Sequence, residues 1–279
     1  MISVVTVAYQ NSSGLKRTLE SIWSQHEPPE QIVVIDGGSK DGSYEYLRLN
    51  SARIDYWVSE SDCGIYDAMN KGVSQACEDF VIFMNAGDVF VDNWVLNDVK
   101  ATINSDSQFA KNIPCSVYFG RALVEGPLES WQYPSQRFTH SRIDKFLKGF
   151  DNMPNHQAMF FPQCFYQHNR YIQSLSIIGD LEYKIRAWKS CQFRFIERII
   201  CRFELTGVSS VPTRRRTLKL IVEGVELSRI HYNGLDRYWF ITRFAVKHFV
   251  RLIVSGKRKT LLKFIRSYKN RNPKDRMIK

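Results

Sequence analysis

The segment Gln31-Ile32-Val33-Val34-Ile35-Asp36-Gly37-Gly38-Ser39-Lys40-Asp41-Gly42-Ser43 runs from an apolar, β-branched block into a polar, glycine-rich turn. An apolar run without polar alternation is the pattern of a strand covered on both faces, as strands of parallel sheets are. The glycines permit positive φ in the turn, and Ser43 is placed to cap a helix continuing through Tyr46 and Leu47. Strand, turn and helix in this order make one unit of a parallel α/β sheet.

The unit repeats on both sides. Upstream, Ile2 to Ala8 reads as a buried strand, and Leu15, Leu19, Ile22 and Trp23 fall at i, i+4, i+7 and i+8, the stripe of a helix that Pro28-Pro29 ends. Downstream, Ile54 to Ser59 reads as a third strand, Ile65 to Ala76 as a helix, and Phe80 to Met84 as a fourth strand stopping at Asn85-Ala86-Gly87-Asp88. The first ninety residues are therefore expected to be βαβαβαβ. Beyond them, Val117-Tyr118-Phe119 and Ala158-Met159-Phe160-Phe161 read as strands and Gly179 to Lys189 as a helix. After Val211-Pro212 the composition turns basic, which divides the chain into residues 1–210, with halves 1–100 and 101–210, and a helical extension over 211–279.

Charge is distributed unevenly within the net of +11. Residues 1–100 carry 7 Lys and Arg against 15 Asp and Glu, whereas residues 201–279 carry 20 against 5. A basic tail of this kind suits either nucleic acid or an anionic membrane surface. No run of about 18 apolar residues is present, so no transmembrane helix is expected. The N-terminus reads as a core strand instead of a leader. The six cysteines form no C-x-x-C pair and no Cys/His cluster, so neither a zinc site nor a disulfide framework is expected, and a reducing cytosol fits.

Ligands of open parallel sheets bind outside the carboxyl ends of the strands. Asp36 follows the second strand, Glu60 and Asp62 the third, and Asp88 the fourth. The first turn, Ala8-Tyr9-Gln10-Asn11-Ser12-Ser13-Gly14, lacks G-x-G-x-x-G, and no Walker A sequence occurs, which removes the main support for a dinucleotide or P-loop site. An acidic pocket repels a bare diphosphate, so a nucleotide diphosphate bound there calls for a divalent cation, and Asp88 is the best-placed ligand for one.

Four segments in order resemble the family 2 glycosyltransferases of GT-A fold, especially bacterial members that assemble cell-surface polysaccharides. They are Ile2 to Tyr9; Val34-Ile35-Asp36-Gly37-Gly38-Ser39-Lys40-Asp41-Gly42-Ser43; Ser59-Glu60-Ser61-Asp62-Cys63-Gly64-Ile65-Tyr66-Asp67-Ala68-Met69-Asn70-Lys71-Gly72; and Asn85-Ala86-Gly87-Asp88, at the place of the D-x-D motif. The resemblance implies a Rossmann-like, mostly parallel sheet flanked by helices and inverting transfer from a nucleotide-diphosphate sugar, a UDP-sugar before others. It implies that Thr6, Ala8, Tyr9 and Asp36 line the nucleoside, and that Glu60, Asp62, Asp67 and Lys71 border the ribose and diphosphate. Asn85, Ala86 and Gly87 frame the turn whose Asp88 holds Mn2+ or Mg2+; Ala86 stands where the motif has its first Asp.

Ile178-Gly179-Asp180-Leu181-Glu182-Tyr183 resembles the segment carrying the family's base, which makes Asp180 the expected base and Glu182 the alternative. Asn155-His156-Gln157-Ala158 resembles the segment bordering the sugar, where His156 or Gln157 binds the donor sugar or completes the metal shell; His156 also fits a purely structural role. Phe203 to Ser209 resembles a later Gly-Val-Ser element. The acceptor is expected to be a glycan or a polyprenyl-linked glycan, with the enzyme peripheral at the cytoplasmic face of the membrane. The tail interleaves Lys247, Arg251, Lys257 and Lys263 with Phe249, Ile253, Leu262 and Phe264, which fits either a solvated helical pair or an amphipathic anchor on anionic lipid. No nucleic-acid partner is expected, because no DNA- or RNA-binding module is recognisable.

Overall fold

The computed structural model describes residues 1–109, 115–126, 130–134, 153–204 and 213–269. The chain divides into two compact units, Met1–Gly207 and Val208–Lys279.

In the first unit, β1 (Ile2–Ala8), β2 (Gln31–Asp36), β3 (Tyr56–Ser59) and β4 (Phe80–Phe83) form a parallel sheet with β1 between β2 and β4. The helices α1 (Ser12–Trp23), α2 (Ser43–Leu49) and α3 (Ile65–Gln75) follow the first three strands, as the sequence predicts. Every residue of β1 is buried. Val4 and Ala8 belong to one apolar cluster and Val5 and Val7 to the other, so both faces of the strand are covered. That double burial is what an apolar run without polar alternation encodes.

The sheet continues from β4 through β8 (Met159–Pro162), β6 (Ser116–Glu125) and β9 (Gln192–Glu204) to β5 (Val89–Phe90), and β7 (Ser130–Tyr133) pairs with β6. Here the pairing is mixed: β8 is antiparallel to β4 and β6, while β9 is parallel to β6. Helix α4 (Val95–Phe109) precedes β6, α5 (Gln163–Tyr166) follows β8, and α6 (Gly179–Ser190) lies between α5 and β9. Mixed α/β architecture with helices around a central sheet is the class expected from the sequence. The long strand β9 was not expected.

The cysteine reading needs correction, because Cys115 and Cys164 form a disulfide. Antiparallel pairing of Tyr118 with Phe160 brings the start of β6 beside the chain that leaves β8, and this juxtaposition does not show in sequence spacing. The parallel register of β6 with β9, Ser116 opposite Gln192, then sets the Cys191 Sγ 3.4 Å from the Cys115 Sγ.

A side chain from α3 fixes the entry to α6. Asn70 Nδ2 donates to the Tyr171 carbonyl at 2.9 Å, and the Tyr171 amide donates to Asn70 Oδ1 at 2.7 Å. The Tyr171 ring stacks on Tyr183 with centroids 4.1 Å apart, so the amide pair also anchors an aromatic cluster.

The second unit is a helical hairpin, α7 (Arg214–His231) and α8 (Gly234–Lys269). Thr213 caps α7 by accepting from the Arg216 amide. Of the Gly-Val-Ser resemblance, only Phe203 and Glu204 lie among the described residues, and residues 270–279 lie outside them.

Asn70→Ala removes both hydrogen bonds to Tyr171 and leaves two backbone groups unpaired. It is expected to lower stability by about 1–3 kcal/mol in urea denaturation.

Candidate functional site

Backbone pairing continues beyond the strand ends and builds the floor of the site. The Gly37 amide donates to the Ala8 carbonyl at 2.9 Å, the Glu60 amide to the Asp36 carbonyl at 3.0 Å, and the Ala86 amide to the Val7 carbonyl at 2.9 Å. The residues following β1, β2, β3 and β4 are thereby brought to one edge of the sheet, the ligand-binding edge of this class of sheet.

Within this edge the expected nucleoside residues differ sharply in access. Tyr9 is 67% exposed, whereas Thr6 is fully buried inside β1 and Ala8 nearly so. Thr6 therefore presents no open surface. Asp36 is also fully buried, and its carboxylate accepts from the Ser39 amide at 3.0 Å, the Ser39 hydroxyl at 2.5 Å and the Ser59 hydroxyl at 2.5 Å. With three of about four acceptor positions occupied, Asp36 shapes the loop and joins it to β3. Beside it stands the half-buried Asp62, whose Oδ1 accepts from the Gly64 amide at 2.9 Å and whose Oδ2 covers the empty side of Gly37 next to the Tyr9 ring.

The acidic loop before α3 is organised around Lys71. Its ammonium lies 2.7 Å from Glu60, 3.9 Å from Asp67 and 3.3 Å from the Ser61 carbonyl. The hydrogen bond that Lys71 donates to Glu60 pushes its pKa up, reinforced by the charges of Glu60, Asp67 and Asp62 against a smaller opposing effect of burial. Asp67 accepts from the Cys63 amide at 3.0 Å and from Gln173 Nε2 at 2.8 Å. The cation expected at the phosphates is thus held by carboxylates of its own loop.

The turn Asn85 to Asp88 is held from α1. The buried Thr18 hydroxyl donates to the Asp88 carbonyl at 2.7 Å and accepts from the Gly87 amide at 2.9 Å, and Asn11 Nδ2 donates to the Ala86 carbonyl at 2.8 Å. The Asn85 amide donates to Asp88 Oδ2 at 3.2 Å. Among the described residues no three His, Cys, Asp or Glu side chains converge as metal ligands. That donor set does not suit an all-protein cage, and Asp88 is itself buried, so a cation at this turn would rest on that one carboxylate and on the substrate's phosphates.

From this turn a polar chain leads to Asp180. Asn85 Nδ2 lies 3.5 Å from His156 Nε2, and His156 Nδ1 lies 3.7 Å from Asp180 Oδ2. Asp180 also meets Lys184 Nζ at 3.1 Å and the Tyr66 hydroxyl at 3.5 Å, and Lys184 donates onward to the Pro154 carbonyl at 3.2 Å. Burial pushes the Asp180 carboxyl up, but the Lys184 ammonium and His156 outweigh it and hold it well below the usual carboxylate range. Any Cβ at Gly179 would sit 2.7 Å from the Tyr66 ring, so α6 approaches α3 this closely only with glycine there. Gln157 is buried in the 3-10 turn that carries His156.

Glu182, the alternative base, is fully buried, with Oε1 2.7 Å from Arg186 Nε and Oε2 2.8 Å from Nη2. A bidentate pair of this kind is structural. Asp180, at 28% exposed, keeps access to the site.

The sequence model described as Glycosyl transferase family 2 matches residues 3–166. The chain belongs to this family. An uncharacterised glycosyltransferase of Mycobacterium tuberculosis is 30% identical over 213 residues, covering 75% of this chain and 77% of the relative. A Mycobacterium bovis protein named PGL/p-HBAD biosynthesis glycosyltransferase is 23% identical over 268 residues, covering 93% and 98%. Among solved structures, Staphylococcus aureus TarS 1–349 in complex with UDP shares the fold at a TM-score of 0.60 and 14% identity, over 89% of this chain and 72% of that one. The mannosyltransferase of Pyrobaculum calidifontis in complex with GDP-Man and Mn2+ shares it at 0.55 and 14% identity, over 98% and 81%. These likenesses establish the GT-A fold of this family 2 member.

Sequence reasoning missed Thr18, Asn11 and Lys184. Thr18 looks like any polar residue on a helix, and only the turn packed against it gives its hydroxyl a role. Lys184 carried a signal, since it lies four residues after Asp180 on one helix face. Thr18→Val keeps the shape and removes the hydroxyl. It is expected to cost about 1–3 kcal/mol in thermal denaturation through loss of the bonds that Thr18 makes to the Gly87 amide and the Asp88 carbonyl.

Proposed function

We propose that this family 2 enzyme transfers a sugar, with inversion, from a nucleotide-diphosphate sugar to a glycan or lipid-linked acceptor in the synthesis of a bacterial surface polysaccharide. One observation carries the reading: the sole open carboxylate of α6, Asp180, is joined through His156 to the turn that ends β4 on the ligand-binding edge. A UDP-sugar is the preferred donor, since TarS structures hold UDP and UDP-GlcNAc, and the Pyrobaculum enzyme, which holds GDP-Man, marks the alternative. The mycobacterial relative's part in PGL biosynthesis supports a surface-glycan acceptor.

In the proposed reaction, Asp180 takes the proton of the acceptor hydroxyl as its oxygen attacks the anomeric carbon. The bond from that carbon to the diphosphate breaks on the opposite face, which inverts the centre. Lys184 and His156 hold the carboxylate in place and ionised, and Tyr66 fixes its second oxygen toward α3. Tyr9, Gly37 and Asp62 present the open wall for the nucleoside, with Asp36 supporting the loop from behind. When bound, a divalent cation, Mn2+ or Mg2+, held by Asp88 and the donor's phosphates would neutralise charge on the leaving diphosphate.

Asp180→Asn is expected to lower kcat by about a hundredfold to ten-thousandfold while leaving donor affinity near that of the native chain, as measured by steady-state transfer and donor titration. Asp88→Ala is expected to weaken donor binding as well as turnover. Activity near the native level in either variant would remove that residue from its role.

The pH dependence has a definite sign. Because the folded Asp180 carboxyl titrates below its unfolded value of about 4, its stabilising effect is complete above that value and is lost as pH falls toward the folded one. Lys184→Met removes the nearest cation. The acid limb of the kcat/KM profile should then move to higher pH, and an unmoved limb would show that Lys184 does not control this carboxylate.

A further inference from the structure

The second unit contains a surface that sugar transfer leaves unused. On α8, Leu235, Trp239, Val246, Phe249, Val250 and Ile253 are all exposed, from 46% at Ile253 to 77% at Leu235. Their spacing of i, i+4, i+11, i+14, i+15 and i+18 puts them on one helical face about five turns long. The inward side of the same helix is already satisfied. Phe244 fills the notch over Gly224 of α7, where any Cβ would lie 2.5 Å from its ring, and stacks on Phe240 with centroids 5.4 Å apart. The helix thus has one apolar face spent on the hairpin and a second that is open.

The charge around this open face has one sign. Residues 213–253 hold nine Lys and Arg against three Asp and Glu, and one of those three, Glu223, is buried. Arg243 and Lys247 are exposed on the turns between Trp239 and Phe249. No helix among the described residues is long and apolar enough to cross a membrane. An aliphatic and aromatic stripe flanked by cations, on a helix too charged to insert across, is the physical description of a segment lying in the interface of an anionic bilayer.

We infer that the exposed face of α8 docks this chain onto an anionic lipid surface, with Trp239 and Phe249 entering the acyl boundary and Arg243 meeting lipid phosphates. Charge separates this occupant from a second copy of the chain, because pairing two such faces would bring two strongly cationic hairpins together. The aliphatic centre of the stripe separates it from nucleic acid, whose phosphates would leave Leu235, Val246 and Ile253 against a polar backbone. This inference is independent of the transfer chemistry.

The test is co-sedimentation of the full-length chain with vesicles of phosphatidylglycerol and phosphatidylethanolamine and, separately, of phosphatidylcholine alone. The anionic vesicles should retain the protein at least tenfold more strongly, with the preference falling as salt rises. The double variant Trp239→Ser, Phe249→Ser should lose at least tenfold of the binding, and Arg243→Glu should lose part of it; circular dichroism checks that each keeps the helical content of the native chain. Equal binding to both vesicle types, or undiminished binding by a folded double variant, would overturn the inference. So would absence of vesicle binding accompanied by binding of an oligonucleotide, or by a dimer that the double variant dissolves.

Discussion

Because β1 runs parallel between β2 and β4, hydrogen bonds from the Gly37 and Ala86 amides to the Ala8 and Val7 carbonyls carry the ladder past the strand ends on both sides of it. The loops after β1, β2 and β4 at the ligand-binding edge hang from this arrangement. The covered faces of β1 leave its loop nowhere to fold except outward, and the loops after β2 and β4 are fixed relative to it by backbone bonds, which side-chain substitution leaves in place. Thr18 of the first helix and its capping residue Asn11 then secure the Asn85–Asp88 turn, so the geometry of this turn depends on a segment some seventy residues earlier in the chain.

The second half is attached by aromatic packing. Antiparallel β8 lies beside β4 and is preceded by the turn that carries His156. Phe83, Tyr171 and Tyr183 pack edge-to-face and stacked between that turn and α6. A carboxylate beside such a cluster loses hydration, and Asp180 stays ionised because Lys184 and His156 replace the lost water with charge and a hydrogen bond. Glu182 solves the same problem differently: its bidentate pairing with Arg186 consumes the carboxylate entirely. Two acids two residues apart therefore have opposite fates, one held open and one closed.

The parallel strands and the helices after them were legible in the sequence because burial of both strand faces and the 3.6-residue helical repeat are local patterns. Motif order pointed to Asp88 and Asp180, and the fold places the first in the turn after β4 and the second in the opening turn of α6. What was not legible depended on partners far along the chain. The saturation of Asp36 needs Ser59, and the Cys115–Cys164 bond needs the register of β6 against β8. Strand β9 pairs with both β6 and β5, and that pairing shows only in space. The charge excess of the tail was plain from composition, whereas the division of α8 into a satisfied face and an open one required the packing of Phe244 on Gly224.

In the proposed reaction the edge formed by β1, β2 and β4 and the carboxylate of α6 belong to one site. A crystal structure of the Asp180→Asn chain with a bound UDP-sugar tests it most directly. The nucleoside is expected against Tyr9 and Asp62, the diphosphate at the Asn85–Asp88 turn, and the anomeric carbon facing residue 180 from the side opposite the diphosphate. A sugar directed away from residue 180, or a nucleotide bound off this edge, would contradict it.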